Sequence, residues 1–187
     1  VSPAQIEREA IRLFSEKTYP LVGMRDISDA VELLPGSLYV HITSKEDLLL
    51  KIVERGIGIY LSALTPIVES EKPAQDRIRD VISSYLRLLD ANLDITKIAM
   101  FQWRYLNGEN LASILELRDQ IDGLFVRVVT DGIAAGEFNS VRHPHVVAIS
   151  LVGLLSSTAQ WYSVQGALSA DDIAEQLSDI VLGGLTG

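Results

Sequence analysis

The stretch PGSLYVHITSK, residues 35–45, gathers hydroxyl, phenol, imidazole and ammonium groups on a segment too short to bury them all. Ser37, Tyr39, His41 and Thr43 can exchange hydrogen bonds with phosphate oxygens or base edges, and Val40 can pack on a thymine methyl. Arg25 upstream and Lys45 downstream carry cationic groups suited to phosphate, and the backbone N–H groups at a helix start over 43–45 would add another phosphate site. Pro35 opens the segment and fixes its entry, while Ala30 and Gly36 are small where two helices would cross. This is the chemistry of nucleic-acid recognition. Plain helix packing produces the same spacing, so these residues alone leave both readings open.

Signs of catalysis are few. The chain has no cysteine, so a disulfide framework, a thiolate metal site and a cysteine nucleophile all fall away. His143 and His145 flank Pro144 without carboxylates at ligand spacing, which reads as a helix-start loop and not a metal site. LVGLLSS lacks the glycine frame of a nucleophile elbow, and no glycine-rich phosphate loop occurs. No catalytic residue, metal or cofactor is expected. An all-helical dimeric enzyme with a hydrophobic pocket stays as the alternative from the enzyme class.

The elements that must hold residues 35–45 read as helices throughout, an all-α chain of about nine helices with no alternating strand pattern. Ser2, Pro3 and Gln5 form a capping box at the start of the first. Ile6, Ala10, Leu13 and Phe14 make its buried stripe. Two short helices come next, over 24–31 and 35–41, with Ile27, Val31, Leu33, Leu38 and Ile42 spaced to share one core with Leu13 and Phe14. That arrangement is a helix-turn-helix, whose second helix enters a major groove. A helix begins at Thr43 or Ser44, with Glu46 and Asp47 in its first turn, and Pro66 marks its kink or end. Further helices are expected over 73–91, 94–107 (broken), 111–135 with Gly136 as terminator, 145–162, and 170–185 capped by Ser169 and Asp172.

At 187 residues with 48% apolar content, the chain can bury a real core. The reading is a DNA-binding domain over 1–46 and a ligand-binding and dimerisation domain over 47–187. The net charge of −9 argues against a general nucleic-acid coat. Residues 1–55 hold 7 basic and 9 acidic groups, and the remainder 9 and 16. DNA binding must therefore come from a few placed groups. The apolar run over 146–162 is interrupted by serines, Thr158 and Gln160, so it reads as an interface helix and not a membrane span. No signal sequence opens the chain, which points to the cytoplasm.

The strings AIRLFSEKTY, MRDISDAV and PGSLYVHITSKEDLL resemble, in order and without gaps, the N-terminal domain of TetR-family transcriptional regulators. Leu13-Phe14, Tyr19, Arg25-Asp26-Ile27, Gly36 to Tyr39, His41 and Ser44 to Glu46 carry most of the likeness. The resemblance implies a ligand-responsive homodimeric repressor on a double-stranded DNA operator, with contacts from Arg25, Ser37, Tyr39, His41 and Lys45. Four positions depart from the pattern. Thr18 and Glu32 stand where the family has glycine, Val22 replaces a threonine that caps the second helix, and Ile42 replaces phenylalanine. Glu32 must adopt a left-handed conformation or shift the turn, and it brings negative charge near DNA. A dimeric ligand-sequestering protein whose reading head has decayed is the third alternative, kept alive by Glu32 and the low basic charge.

In the second half, Tyr85, Leu89, Phe101, Trp103, Phe125 and Trp161 are candidates for an apolar effector pocket, with Arg104 and Gln160 as polar groups. Ordinary core packing accounts for the same aromatics. Arg104, Arg118 and Arg127 could face an acidic effector or pair with Glu109, Glu116 or Asp122. These strings also look like the branch of the family whose effectors are lipid or steroid breakdown products, often as CoA thioesters. That likeness implies an apolar small-molecule effector. Val147, Leu151, Leu154 and Leu155, with Ile173, Leu177, Ile180 and Val181, fit a four-helix seam between two copies.

Overall fold

The computed structural model describes residues 1–139 and 141–187. Nine α-helices occur among them and no strand, as the periodicity predicts. They are α1 (Pro3–Lys17), α2 (Met24–Ala30), α3 (Pro35–Leu38), α4 (Lys45–Glu69), α5 (Ala74–Ala91), α6 (Leu93–Lys97), α7 (Gly108–Ala134), α8 (Pro144–Trp161) and α9 (Ala170–Thr186). A 3-10 turn (Tyr19–Leu21) precedes α2, and a π-helical segment (Ile98–Gln102) and then a 3-10 turn (Trp103–Tyr105) come after α6. Two compact units result. One comprises Val1–Gly58 with Asp94–Leu117, and the other Ile59–Leu93 with Arg118–Gly187. The unit holding the helix-turn-helix thus extends beyond residue 46.

In the first unit α1 begins with the expected capping box, Ser2 Oγ accepting from the Gln5 N–H and the Gln5 side chain accepting from the Ser2 N–H. Ile6, Ala10, Leu13 and Phe14 are buried, as are Ile27, Leu38 and Ile42 beneath the short helices. Such helices cannot persist alone, because nucleation fixes several residues for one hydrogen bond. Their shared core supplies what length does not. A Cβ at Gly56 of α4 would come within 2.6 Å of the Ala99 Cβ, so only glycine permits that close packing. Gly36 does not mark a helix crossing, since a Cβ there would meet nothing within 4 Å.

Other boundaries differ from expectation. Pro66 lies inside α4 without ending it. α3 stops at Leu38, with residues 39–41 in turns, and α7 starts at Gly108.

In the second unit α9 packs along α5, with the ion pairs Arg87–Asp171 and Arg79–Asp179 at its edge. The Schellman turn that ends α7 at Gly136 aims two side chains. The Glu137 carboxylate accepts from the Ala74 and Gln75 N–H groups, each at 2.9 Å, and so caps the positive end of α5. The Phe138 ring fills the space that a side chain at Gly132 would need. Buried Arg77 donates to the Val68 carbonyl and the Asp131 carboxylate, the pairing a buried charge requires.

The residues expected at a two-copy seam differ in exposure. Leu151, Leu155, Ile173 and Val181 are buried within their own unit, and Val147, Leu154 and Leu177 are half-buried. Ile180 alone of that set is exposed, at 60%. The apolar residues of α8 are spread around the helix without a clear stripe, so periodicity could not say which face its own chain covers. On α8 the exposed apolar side chains are Val146 and Ile149, one turn before Gly153, which has free space around it, and on α9 the exposed one is Ile180.

Candidate nucleic-acid interface

α2 ends in a Schellman motif, the Leu33 N–H reaching the Ser28 carbonyl at 2.9 Å and the Glu32 N–H the Asp29 carbonyl at 3.2 Å. Glu32 sits at its left-handed position with φ 57°. The turn therefore keeps its geometry and takes the strain, instead of shifting. Leu34 and Pro35 then start α3, which roots itself through fully buried Leu38. With that residue inward, Pro35, Gly36, Ser37, Tyr39, Val40 and His41 are all exposed, Val40 at 81%. Arg25 and Thr43 are exposed too. None of the side chains of Arg25, Ser37, Tyr39 or His41 has a hydrogen-bond or ion-pair partner among the described residues. The face offers donors, acceptors and a methyl-sized apolar patch, all free for an outside partner.

Lys45 departs from the expected free phosphate group. Its ammonium donates to the Tyr19 carbonyl at 2.9 Å and the Val22 carbonyl at 2.8 Å, and lies 4.0 Å from the Tyr19 ring centroid. Burial lowers its pKa, partly offset by the Asp26 charge. The reason is positional: the first residue of α4 overhangs the turn 19–22, whose carbonyls have spare acceptor capacity. Ser44 caps α4, its Oγ accepting from the Asp47 N–H. Val22, which cannot cap α2, is buried, and the Asp26 carboxylate instead accepts from the Gly23 N–H at 2.6 Å.

The same unit holds polar residues that periodicity passes over. Buried Gln102 accepts from the Tyr19 N–H and donates to the Phe14 carbonyl. The Tyr105 ring stacks on Tyr19 at 5.7 Å. The Glu46 carboxylate accepts from the Asn107 N–H and the Asn110 side chain, which lowers its pKa. Glutamine in an aromatic string carries no signal of burial, and its partners are backbone groups far along the chain.

The eight candidate pocket residues do not gather in one unit. Phe101, Trp103 and Arg104 belong to the first, where the Arg104 guanidinium lies 4.6 Å from the Trp103 ring centroid. In the second, Tyr85, Leu89 and Phe125 are buried, whereas Gln160 and Trp161 are exposed. Residue type could propose aromatic lining, but only packing could separate core from surface. Tyr85 is the most suggestive. Burial pushes its pKa up to about 12 against the opposing influence of Ser156 and Arg118, and no well-formed hydrogen bond reaches its hydroxyl. Arg127 pairs with Glu69 instead of a carboxylate on its own helix.

No helix among the described residues is long and apolar enough to cross a membrane. Nor does any group of three or more potential metal ligands occur among them.

Known proteins match both parts of the chain. Residues 6–52 match the family described as bacterial regulatory proteins, tetR family, and residues 71–185 match the tetracyclin repressor-like C-terminal domain. The HTH-type transcriptional repressor KstR2 of Rhodococcus jostii is 27% identical over 177 residues, covering 94% of this chain and 87% of that protein. The ketosteroid transcriptional regulator KstR2 of Mycobacterium tuberculosis superimposes with a TM-score of 0.91 at 23% identity, over 99% of this chain and 95% of that one. AibR, solved in complex with isovaleryl coenzyme A and operator DNA, gives 0.87 at 22% identity, over 95% and 96%. With one match spanning the reading head and the other most of the remaining helices, the chain belongs to the TetR family of bacterial transcriptional regulators.

Proposed function

We propose that the protein is a cytoplasmic homodimeric repressor that holds a palindromic operator and lets go when an apolar or acyl-CoA-like molecule binds. The DNA half of this reading is carried by one observation: Ser37 on α3 and Tyr39, Val40 and His41 in the turns after it are exposed around buried Leu38, without side-chain partners among the described residues. Arg25 would add a phosphate contact, as would the open N–H groups at the start of α4 beside Thr43. Lys45 is assigned to holding the turn 19–22 and not to phosphate.

A second copy is supported by the α8 surface that carries exposed Val146 and Ile149, together with exposed Ile180 on α9, apolar side chains that a lone chain would leave in water. A two-fold axis through it would set two reading heads about one DNA turn, ~34 Å, or a multiple of it apart. The effector class rests on relatives named for a ketosteroid and solved with isovaleryl coenzyme A. The buried Tyr85 hydroxyl, under the influence of Ser156 but reached by no well-formed hydrogen bond, offers that effector a donor. Release demands that the effector bind the DNA-free state more tightly. A hundredfold loss of operator affinity corresponds to about 2.7 kcal/mol of coupling.

Selection from a randomised duplex pool at low salt tests the reading. It should enrich inverted repeats, and medium-chain or steroid-derived CoA thioesters should then displace them. Retention of no duplex at all would sink it.

A further inference from the structure

The turn leading into the helix-turn-helix is held in a conformation its own residue disfavours. Thr18 has φ 68° and ψ 151°, a region open to glycine and costly for a β-branched side chain. That backbone angle directs the next peptide, so that the Tyr19 N–H points at Gln102 Oε1, 2.7 Å away. Gln102 is 7% exposed, and its Nε2 donates to the Phe14 carbonyl at 2.8 Å. One side-chain amide therefore spans the turn, holding the end of α1 on one side and the start of the 3-10 turn on the other. Its orientation is fixed, because one neighbour can only donate and the other only accept. Gln102 closes the segment Ile98–Gln102, the one π-helical stretch among the described residues, a rare geometry that is frequent at functional sites.

We propose that Gln102 is a positioning residue for DNA binding: it holds the strained Thr18–Tyr19 peptide, which sets how α2 and α3 leave α1 and present Ser37, Tyr39 and His41. The inference rests on the DNA-binding reading and adds to it a residue that touches no DNA. The turn is gripped elsewhere by Lys45 on the Tyr19 and Val22 carbonyls and by Tyr105 on the Tyr19 ring. Those grips act on Tyr19 and Val22. The Thr18–Tyr19 peptide itself is held on its carbonyl by the Leu21 N–H of the same turn, at 3.2 Å, and on its N–H by the Gln102 side chain.

A double-mutant cycle between Thr18→Gly and Gln102→Leu tests this in the full-length chain. The probe is a duplex that the wild-type protein selects from a randomised pool. Gln102→Leu keeps side-chain bulk and removes both hydrogen bonds. With Thr18 in place the turn then relaxes, and duplex affinity falls about tenfold, equivalent to ~1.4 kcal/mol. In the Thr18→Gly background the turn keeps its shape without strain, and the same substitution costs about threefold or less. Melting should move the opposite way. Gln102→Leu lowers Tm less with Thr18 present, because relaxation recovers the strain, and more in the Thr18→Gly background. A residue that merely stabilises the fold would lower affinity and Tm by equal steps in both backgrounds, and that result overturns the proposal. Should the wild type select no duplex, the regulator reading falls. The melting cycle then decides alone, with equal Tm losses in the two backgrounds overturning the latch.

Discussion

Glu32 and Gly136 end their helices with the same pair of backbone hydrogen bonds, one from a strained residue and one from a relaxed one. At α2 the Glu32 and Leu33 N–H groups reach the Asp29 and Ser28 carbonyls. At α7 the Gly136 and Glu137 N–H groups reach the Ile133 and Gly132 carbonyls. Glu32 has φ 57° and Gly136 φ 75°. Glycine meets no Cβ clash there, whereas glutamate does.

Glu32→Gly is accordingly expected to stabilise the protein by about 1 kcal/mol, a rise in Tm of about 3 °C. Thermal melting checks it. Removing a carboxylate from the turn before α3 should also tighten operator binding at low salt, an effect that fades as salt is raised.

Lys45 and Arg25 should separate cleanly. Lys45→Met removes two charge-assisted bonds to backbone carbonyls and should cost about 1 kcal/mol of folding stability in urea. Arg25→Ala should leave stability within about 0.5 kcal/mol and lower the slope of log affinity against log salt by about 1. Equal losses of stability in the two variants would contradict the assignment of Lys45 to the turn 19–22.

Replacing Ser37, Tyr39 or His41 by alanine should each weaken binding to the selected duplex by about 1–3 kcal/mol where the side chain reads a base edge. Helicity and melting should stay as in the wild type, because all three are exposed and without side-chain partners among the described residues. Competition with duplexes changed one base pair at a time would tell base readers from phosphate contacts.

Glu46 gives the reading-head unit an acid-sensitive tie. Hydrogen bonds from the Asn107 N–H and the Asn110 side chain hold its carboxyl below the usual glutamate range. A depressed folded pKa means stability fully present above the unfolded pKa and lost as pH falls through the folded one. Glu46→Gln should therefore flatten that part of the acid limb in urea titrations across this window. An unchanged acid limb would show that the tie contributes nothing.

The two faces of α8 should respond differently. Ile149→Glu, on the exposed side, should yield a folded monomer by sedimentation. Leu155→Ala, on the fully buried side, should cost about 3 kcal/mol of folding stability. A dimer that survives both Ile149→Glu and Ile180→Glu would place the seam elsewhere.

What the amino-acid order determined by itself is local. The capping boxes at Ser2 and Ser169, the Gly136 terminator and the buried stripe of α1 come from rules acting within a few residues. Thr18 and Glu32, marked by the absence of expected glycines, are the only non-glycine residues with positive φ among those described, because a turn's shape is imposed by the hydrogen bonds around it. Tertiary structure decided what depends on a distant partner. Lys45 turned from phosphate to backbone carbonyls, and Gln102 became a bridge across a turn more than eighty positions away in the chain. Which side of α8 its own unit buries was likewise settled only by packing. Hydrogen bonds and burial at long sequence separation leave no periodic trace, so an apolar helix or a lone glutamine looks the same whichever partner it finds.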